Sequence, residues 1–253
     1  MSYVQSVPRP AARRACLAVS AVVLALALAL VVAGCSSDST ASKPSAHASK
    51  TSSACGTCLP GGPYTPSAFA VQMTLTLPGQ TWETGEESFG EFKMHLASDA
   101  HQEVKFLPQP VPLRNSDQSV VHGVGPTPDA LAAWLRANPA LTVQRESQQV
   151  IGGGVQAIAV DVSVRPDAEN SDPACPAGLT PCVTFFGFTR PGSYDFNLAI
   201  ANHQTVRLLL APVAFDNRPG TLLIVLDPGT PDHLDALAER TKKLLETVDV
   251  STG

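Results

Sequence analysis

The sequence has few clustered basic residues and none of the short motifs that mark the common enzyme classes. Lys242-Lys243 is the only adjacent basic pair beyond residue 34. Nucleic acids and anionic lipid headgroups are bound through clustered Lys and Arg, so we expect no nucleic-acid partner. The HExxH, GxSxG, Walker and SxxK patterns are also missing, and these are the usual signatures of metalloproteases, hydrolases, nucleotide-binding proteins and penicillin-recognising enzymes. We therefore expect no catalytic residue, no cofactor and no enzymatic activity.

The remaining polar residues offer weak alternatives. An extracytoplasmic enzyme of an unrecognised class would require a cleft that brings His95, His122 or His203 to a carboxylate. Asp167, Glu169 and Asp172 lack the ligand spacing of an EF-hand, so no metal site is expected. The acidic stretch 83–91 is interpreted as a solvated loop face, with a docking patch for a basic partner as the alternative. Its carboxylates are Glu83, Glu86, Glu87 and Glu91.

The first 34 residues have the plan of a secretory signal. Arg9, Arg13 and Arg14 precede an apolar run from Leu17 to Val32 that is interrupted only by Ser20, and no acidic residue is present. A positive segment followed by an apolar one is typical of export signals. The run is shorter than the ~20 residues that span a bilayer comfortably, although an uncleaved anchor helix remains the alternative.

The end of this run carries the most specific motif. Val32-Ala33-Gly34-Cys35 resembles the lipobox of bacterial lipoproteins. The resemblance implies cleavage after Gly34, a diacylglyceryl thioether on Cys35 and further acylation, for example by palmitate, of the new amino terminus. Such chains contribute about 0.8 kcal/mol per buried CH₂ to membrane binding. We expect a lipid-anchored protein on the extracytoplasmic face of the cell membrane, whose partners are the membrane and an envelope protein or small ligand.

Three regions follow from this interpretation. Residues 1–34 are the signal peptide, residues 35–64 are the lipidated cysteine with a flexible tether, and residues 65–253 form a single domain. Residues 36–54 contain Ser, Ala, Thr and Lys but no large apolar side chain, so they cannot offset the entropy cost of ordering. Three of the 17 basic residues and none of the 22 acidic ones lie in the signal, which leaves residues 35–253 with a net charge of −8.

Four cysteines remain after Cys16 and Cys35 are assigned to the signal and the lipid, namely Cys55, Cys58, Cys175 and Cys182. An even number in an oxidising compartment indicates disulfides. Cys175 to Cys182 encloses a turn-rich loop, which would leave Cys55 to Cys58 as a small local ring. Crossed pairing between the two regions is the open alternative. Redox and zinc sites are disfavoured, because no helix start follows Cys58 and the second pair is too widely spaced.

Alternating hydrophobicity predicts several strands. Residues 69–77, 156–164, 182–188 and 194–200 have this pattern, which is typical of half-buried antiparallel strands. Residues 205–211 and 221–227 are predicted to form a hairpin joined through residues 216–220. The second of these segments is apolar on both faces, which indicates a central strand.

Two helices are predicted after Thr127-Pro128-Asp129 and Thr230-Pro231-Asp232, where Thr can cap, Pro fits the first turn and Asp favours the positive helix end. Leu131, Trp134 and Leu135 form the first apolar stripe. The second stripe consists of Leu234, Leu237, Leu244, Leu245 and Val248. We expect both stripes to pack inward on an antiparallel sheet, as in an α+β domain with two or more helices.

The layout of the chain over roughly residues 65–250 is similar to the PsbP-like domains of actinobacterial surface lipoproteins. The similarity rests on Leu77-Pro78-Gly79-Gln80-Thr81-Trp82, on the first helix with its following strand and Gly152-Gly153-Gly154 turn, and on the final strand-helix-strand segment. It implies an α/β/α sandwich and a non-catalytic role in the cell envelope.

Overall fold

The structure is a computed structural model that describes residues 58–79, 81–170, 180–190 and 193–250. These residues belong to one unit of the chain, Ser52–Gly253. The helices are α1 (Pro128–Ala137) and α2 (Leu234–Leu245). The strands are β1 (Gly62–Tyr64), β2 (Met73–Leu77), β3 (Trp82–Glu87), β4 (Phe92–Leu96), β5 (Asp99–Pro108), β6 (Val111–Pro112), β7 (Leu141–Ile151), β8 (Val155–Val164), β9 (Cys182–Arg190), β10 (Ser193–Ala201), β11 (Thr205–Phe215), β12 (Arg218–Asp227) and β13 (Asp249–Val250).

Seven strands form the main sheet in the order β3-β4-β5-β12-β11-β8-β7, and every neighbouring pair is antiparallel. Strand β12 lies in the middle, between β5 and β11. All its residues from Gly220 to Leu226 are buried. Leu222, Ile224 and Leu226 enter one apolar core, and Leu223 and Val225 enter another. The main sheet therefore has two buried faces, and each requires a cover.

One face is covered by the α2 layer, which we define as α2 together with the three-stranded sheet β1-β2-β13. The buried side chains of α2 and of β2 share a core with apolar residues of β4, β5, β11 and β12. All five residues of the predicted second stripe are in this core, which confirms the inward orientation of α2. Leu59 also lies in it, so the described chain is already part of the domain ahead of residue 65.

The opposite face is covered by the α1 layer, defined as α1 together with the sheet β10-β9-β6. Leu131 and Leu135 of α1 share a core with Phe185 and Phe186 of β9 and with apolar residues of β8, β11 and β12. The predicted first stripe is thus confirmed for its two leucines. Trp134, the third member of the stripe, is only half-buried.

The expectation of an α+β domain, a PsbP-like α/β/α sandwich with two or more helices packed on a sheet, is wrong. Strands make up 51% of the described residues, and each cover combines a single helix with three strands. The main reason is that alternating hydrophobicity did not predict β3, β4, β5 or β7, of which only β7 was implied, as the strand that follows the first helix in the PsbP-like layout. The apolar signal of β3 and β7 is weak because most of their side chains are polar. In contrast, Phe92-Lys93-Met94-His95-Leu96 of β4 alternates strictly, and its pattern was overlooked.

The predicted hairpin is present as β11 and β12, and the first predicted strand, residues 69–77, is a strand only over β2, Met73–Leu77. Met73, Leu75 and Leu77 are buried, while Thr74 and Thr76 are exposed. Phe215 pairs with Arg218 across β11 and β12, so the turn contains only Asp216 and Asn217, with φ of 49° and 60°. Positive φ at both positions is the geometry of a type I′ turn. Arg218, Pro219 and Gly220, which were assigned to the connection, lie in β12 instead.

The two predicted helix starts lie where expected, but their caps differ. Pro128 begins α1, whereas Pro231 begins a short 3₁₀ turn that precedes α2. Neither Thr127 nor Thr230 makes a side-chain capping hydrogen bond, so the expected caps are wrong. Within the described ranges, no helix combines the length and hydropathy needed to cross a membrane.

The glycine turn Gly152–Gly154, which joins β7 to β8, packs against the end of the α2 layer. Gly153 and Gly154 have φ of 66° and 76°, a region that L side chains rarely adopt. Gly152 lies against the backbone of Val248, between α2 and β13. A Cβ atom on Gly152 would be 1.8 Å from the Val248 carbonyl oxygen. The approach of these two backbones therefore requires glycine at this position.

Glu87, at the end of β3, ties β1 and the following loop to the main sheet. Its carboxylate accepts hydrogen bonds from the Tyr64 hydroxyl at 2.8 Å, the Ala68 N–H at 2.6 Å, the Ser67 hydroxyl at 3.0 Å and the Ser67 N–H. Burial alone would raise the pKa of Glu87, but these hydrogen bonds outweigh it and hold the pKa below its ordinary value. Burial, followed by the bond to Glu87, raises the pKa of Tyr64 to about 12.

We expect Gly152→Ala to destabilise the full-length protein by roughly 1–3 kcal/mol, because the added methyl group must displace the Val248 backbone. Urea unfolding followed by circular dichroism measures the change. Gly90→Ala is the matched control, since no atom lies within 4 Å of a Cβ at that position. Equal stability of the two variants would contradict the close approach.

The Glu87→Gln substitution should reveal a pH-dependent contribution to stability. The pKa of Glu87 is lower in the folded protein than its ordinary 4.5, so its stabilisation is complete above that pH and is lost as the pH falls through the folded-state pKa. We expect the Tm difference between wild type and Glu87→Gln to be constant near neutral pH and to shrink in acid. Glu86→Gln, at an exposed neighbour, serves as the control. A Tm difference independent of pH would refute the assignment.

Candidate functional site

An open pocket of about 420 Å³ lies beside the C-terminal end of α1. Three segments that are distant in the sequence form it: the loop after β6, the last turn of α1 with the residues that follow, and the segment after β8. Its lining consists of Leu113, Arg114, Asn115, Ser116, Val121, Trp134, Ala137, Asn138, Pro139, Ala140, Asp167, Ala168 and Glu169. A concave site with mixed apolar and polar walls is the usual form of a small-ligand site.

Trp134 provides the aromatic wall of the pocket. It is half-buried, and its ring packs against Phe186 of β9 with centroids 5.2 Å apart and an interplanar angle of 39°. Phe186 in turn packs on Phe185 at 5.2 Å. The ring is therefore supported from the core of the α1 layer while it contributes to the pocket. Leu113, Ala137 and Pro139 add apolar surface around it.

A pair of asparagines forms the polar wall. The Asn138 Oδ1 accepts hydrogen bonds from the Ala140 N–H and from Asn115 Nδ2, both at 3.0 Å. Because a backbone N–H fixes the orientation of Asn138, Asn115 must turn its NH₂ group toward it. The Asn115 Oδ1 atom is left buried without a hydrogen-bond partner among the described residues. A buried acceptor of this kind costs roughly 1–3 kcal/mol, and the atom itself is not exposed to the pocket.

The charges at the rim are mostly paired. Arg114 lies 3.9 Å from Asp117, and both side chains are exposed. Arg165 donates to Asp167 at 3.1 Å, and this hydrogen bond lowers the pKa of Asp167. Glu169 is exposed, and no described residue forms an ion pair with it. The lining thus contains one cationic and two carboxylate side chains.

The histidines considered for an enzyme do not meet at this pocket. His95, on β4, lies with its Nε2 3.1 Å from the Glu83 Oε2 of β3. His122 is exposed in the loop before α1, and His203 is exposed in the turn after β10, where it contacts Asn202. The structure therefore brings one of the three histidines to a carboxylate and leaves the other two in separate elements.

The acidic stretch 83–91 is not a solvated loop. Glu83 and Glu87 lie on β3 and are bound by His95 and Tyr64 respectively. Glu91 is only 5% exposed, and this burial raises its pKa. Only Glu86 of the four carboxylates is exposed. A docking patch for a basic partner would need several accessible carboxylates, so this surface does not support one.

A ladder of ion pairs runs across the same sheet face as His95. Lys105 Nζ lies 3.0 Å from Glu103 and 3.6 Å from Asp227, and Lys93 Nζ lies 3.6 Å from Glu103. Burial alone would lower the pKa of Lys105, but Asp227 and Glu103 outweigh it and raise the pKa. Each described charge in the ladder has an opposite partner, which is the arrangement of a structural ion-pair network.

A second network fastens α2 to the other face of the main sheet. Arg207 donates two hydrogen bonds to Asp161, at 2.6 and 2.9 Å, and a third to Asp235 in the first turn of α2 at 3.1 Å. Arg145 of β7 also contacts Asp235, at 3.3 Å. Asp161 and Arg207 are 8% and 11% exposed. This bidentate pair therefore joins β8, β11 and α2.

Of the cysteines with a predicted role, the described residues include only Cys58 and Cys182. Cys35, Cys55, Cys175 and also Asp172 lie outside the described residues. Cys58 forms an isolated β-bridge with Glu83, its sulfur 3.8 Å from the Glu83 Oε1. Cys182 is buried at the start of β9. The disulfide pairing stays a prediction. Within the described ranges, no group of three or more His, Cys, Asp or Glu side chains could hold a metal ion.

Sequence reasoning did not identify the pocket. Trp134 was assigned to the buried stripe of α1, and Asn115, Asn138 and Arg114 were not singled out. Asp167 and Glu169 were considered only as calcium ligands. The one sequence feature that could have indicated the pocket is Asn138-Pro139, which ends α1 close to Trp134. The other two segments of the lining, after β6 and after β8, reach this place only through the fold.

Comparisons with known proteins do not assign the chain to a family. No family model and no curated protein matches the sequence. Among solved structures, the chain is similar to a protein of Bacteroides thetaiotaomicron VPI-5482, with 11% identity over 76% of this chain and 49% of that one and a TM-score of 0.33. The chain spans about half the length of that protein. A likeness at this level assigns neither fold nor function.

Proposed function

We propose that this protein is a lipid-anchored extracytoplasmic binding protein that holds a small envelope ligand in the pocket beside α1. The observation that carries the binding role is the pocket itself, in which a supported tryptophan ring lies in the same lining as the hydrogen-bonded Asn115–Asn138 amide pair. An aromatic face and fixed polar groups are the usual determinants of ligand orientation in small-molecule sites.

The leader supports the anchoring part of the proposal. A basic segment, an apolar run and the Val32-Ala33-Gly34-Cys35 motif favour cleavage before Cys35 and lipid attachment at its sulfur. The polar residues 36–54 would separate the domain from the membrane. An oxidising compartment would also allow the predicted disulfides among Cys55, Cys58, Cys175 and Cys182.

The pocket's polar groups are suited to holding a ligand. The Asn115–Asn138 amide pair is fixed by a backbone N–H, and Asp167 is bound by Arg165. Amides do not titrate near neutral pH, and a carboxylate that accepts from an arginine has a lowered pKa and is a weak base. Such groups orient a ligand through hydrogen bonds, and we infer a non-catalytic role for them.

Intact mass spectrometry of the protein from its native membrane tests the anchor. We expect a chain that starts at Cys35 and carries added acyl mass, and reduction should add two hydrogens for each disulfide. Cys35→Ala should abolish the acyl mass. Cys16→Ala is the matched control, because Cys16 leaves with the signal and the mature mass is unchanged. An unprocessed wild-type chain would instead establish an anchor helix.

Ligand-observed NMR with a diverse fragment set tests the pocket, using the full-length protein extracted in detergent. Ala137→Trp fills the pocket from the last turn of α1, so it should abolish the signals of fragments that bind there. Ala133→Trp, at an exposed α1 residue outside the lining, should leave them intact. If no fragment distinguishes these variants, the pocket is not a ligand site.

A further inference from the structure

We infer that β7 is an interaction surface for a second copy of this chain, which pairs its own β7 antiparallel to the first and so continues the main sheet across a twofold axis. The inference goes beyond the proposed function and does not depend on the pocket. Three features carry it: the uncovered edge of β7, the side chains along this edge and the side of the sheet on which the described chain begins.

The outer edge of β7 offers backbone groups to another strand. β7 is the last strand of the main sheet, and it pairs only with β8 among the strands that the structure describes. It has 11 residues and no proline, which is about twice the usual length of a strand. Residues 145–151 pair with β8 without a register shift. A long, regular edge with outward-facing N–H and C=O groups is a template for a further strand.

The opposite edge of the main sheet is covered by the chain itself. At β3, the Leu59 N–H donates to the Trp82 carbonyl oxygen at 2.8 Å, and Cys58 forms a β-bridge with Glu83. No described residue covers the outer backbone groups of β7 in this way. Strand β10, at the edge of the smaller sheet, is interrupted by two register shifts, which disfavour a regular neighbour. The regular edge of β7 is therefore the better surface for an added strand.

The exposed side chains of β7 leave room beside the strand. Residues 144–148 are all exposed, on both faces of the main sheet, so neither the α1 layer nor the α2 layer covers them. Val150 is 50% exposed and is one of two exposed large apolar side chains among the described residues. Open edges are usually protected by charges, proline or a covering segment. The middle of this strand, Ser147-Gln148-Gln149, has none of these.

The regular stretch of β7 is complementary to itself. Antiparallel pairing of residues 145–151 with the same residues of a second copy places the twofold axis at their midpoint, Gln148. Gln148 then lies opposite its own copy, and Glu146 lies opposite Val150 of the second copy. An axis at Arg145 or Glu146 would instead place two like charges directly opposite each other, which destabilises a pair of strands. The charges therefore favour the axis at Gln148.

The side chains near this axis can bind one another. A glutamine amide has both donors and an acceptor, so the two Gln148 side chains can hydrogen-bond across the axis, as in amide ladders. On the same face, Val150 would lie against the aliphatic part of Glu146 in the second copy. The Glu146 carboxylate is already held by Arg136 at 2.6 and 2.8 Å. Val150 would thus lose contact with water without leaving a charge unpaired.

The start of the described chain also favours antiparallel pairing. A twofold axis at Gln148 stands perpendicular to the main sheet, so it keeps the α2 layers of both copies on one side. The described chain enters this layer through β1. With the proposed lipid anchor, both copies can then be held from the same side by one membrane. Parallel pairing of two β7 strands would need an axis along the strands, which would turn one α2 layer to the opposite side.

Sedimentation velocity of the full-length protein, extracted in an excess of detergent micelles, tests the dimer. We expect the wild type to change from monomer to dimer as its concentration rises. Gln148→Lys and Gln148→Glu each place like charges at the axis, so each should weaken the dimer about tenfold or more. An equimolar mixture of the two variants should restore it, because Lys and Glu then lie opposite each other. Thr142→Lys, at an exposed β7 residue outside the regular stretch, should leave the dimer unchanged.

Each outcome decides the inference. A wild type that stays monomeric at every concentration would overturn it, and so would a dimer that withstands both Gln148 substitutions, since the copies would then meet at another surface. Recovery in the mixture would support the pairing and would show that both variants are folded. Two monomeric variants that do not recover in the mixture would exclude an axis at Gln148. None of these measurements uses a ligand, so a failure here leaves the proposed binding function untouched.

Discussion

Strand β12 is apolar on both sides, and the rest of the domain depends on burying both. A strand in the middle of a sheet has no edge of its own, so its side chains can leave water only above and below the sheet. Here Leu222, Ile224 and Leu226 bury one side and Leu223 and Val225 the other. Neither helix is long enough to shield a face of seven strands alone, and each cover is completed by a three-stranded sheet.

The α1 layer and the α2 layer cover different parts of the main sheet. The ion pairs and the pocket lie where this cover ends. The α1 layer leaves β3 and β4 uncovered on its face, where Lys93, His95 and their acidic partners form ladders. On the other face, the Arg207–Asp161 pair lies beyond the apolar contacts of α2. The pocket beside α1 occurs where the helix ends and its layer meets two loops. The ion pairs and the pocket thus lie at the edges of the α1 and α2 layers, while the apolar cores lie beneath the centres of these layers.

The sequence predicted those helices and strands that have a clear periodic pattern of apolar residues. The alternation of residues 69–77, the central position of β12 and the apolar stripe of α2 follow from periodicity, and all are present in the structure. The edge strand β7, LTVQRESQQVI, shows little apolar alternation because most of its side chains are exposed and polar, and it was implied only by the PsbP-like layout. The pocket could not be predicted, since Asn115 and Asn138 meet only through the fold. Trp134 was assigned to the core because its spacing matches Leu131 and Leu135.

The three-stranded sheet of the α2 layer also determines on which side of the main sheet the described chain begins and ends. Strand β2 pairs with β1 on one side and with β13 on the other, so the first and last described strands leave from the same layer. The pocket opens in the opposite layer, beyond the main sheet. A domain held through the residues that precede β1 would therefore be attached on the side of the main sheet opposite to the pocket.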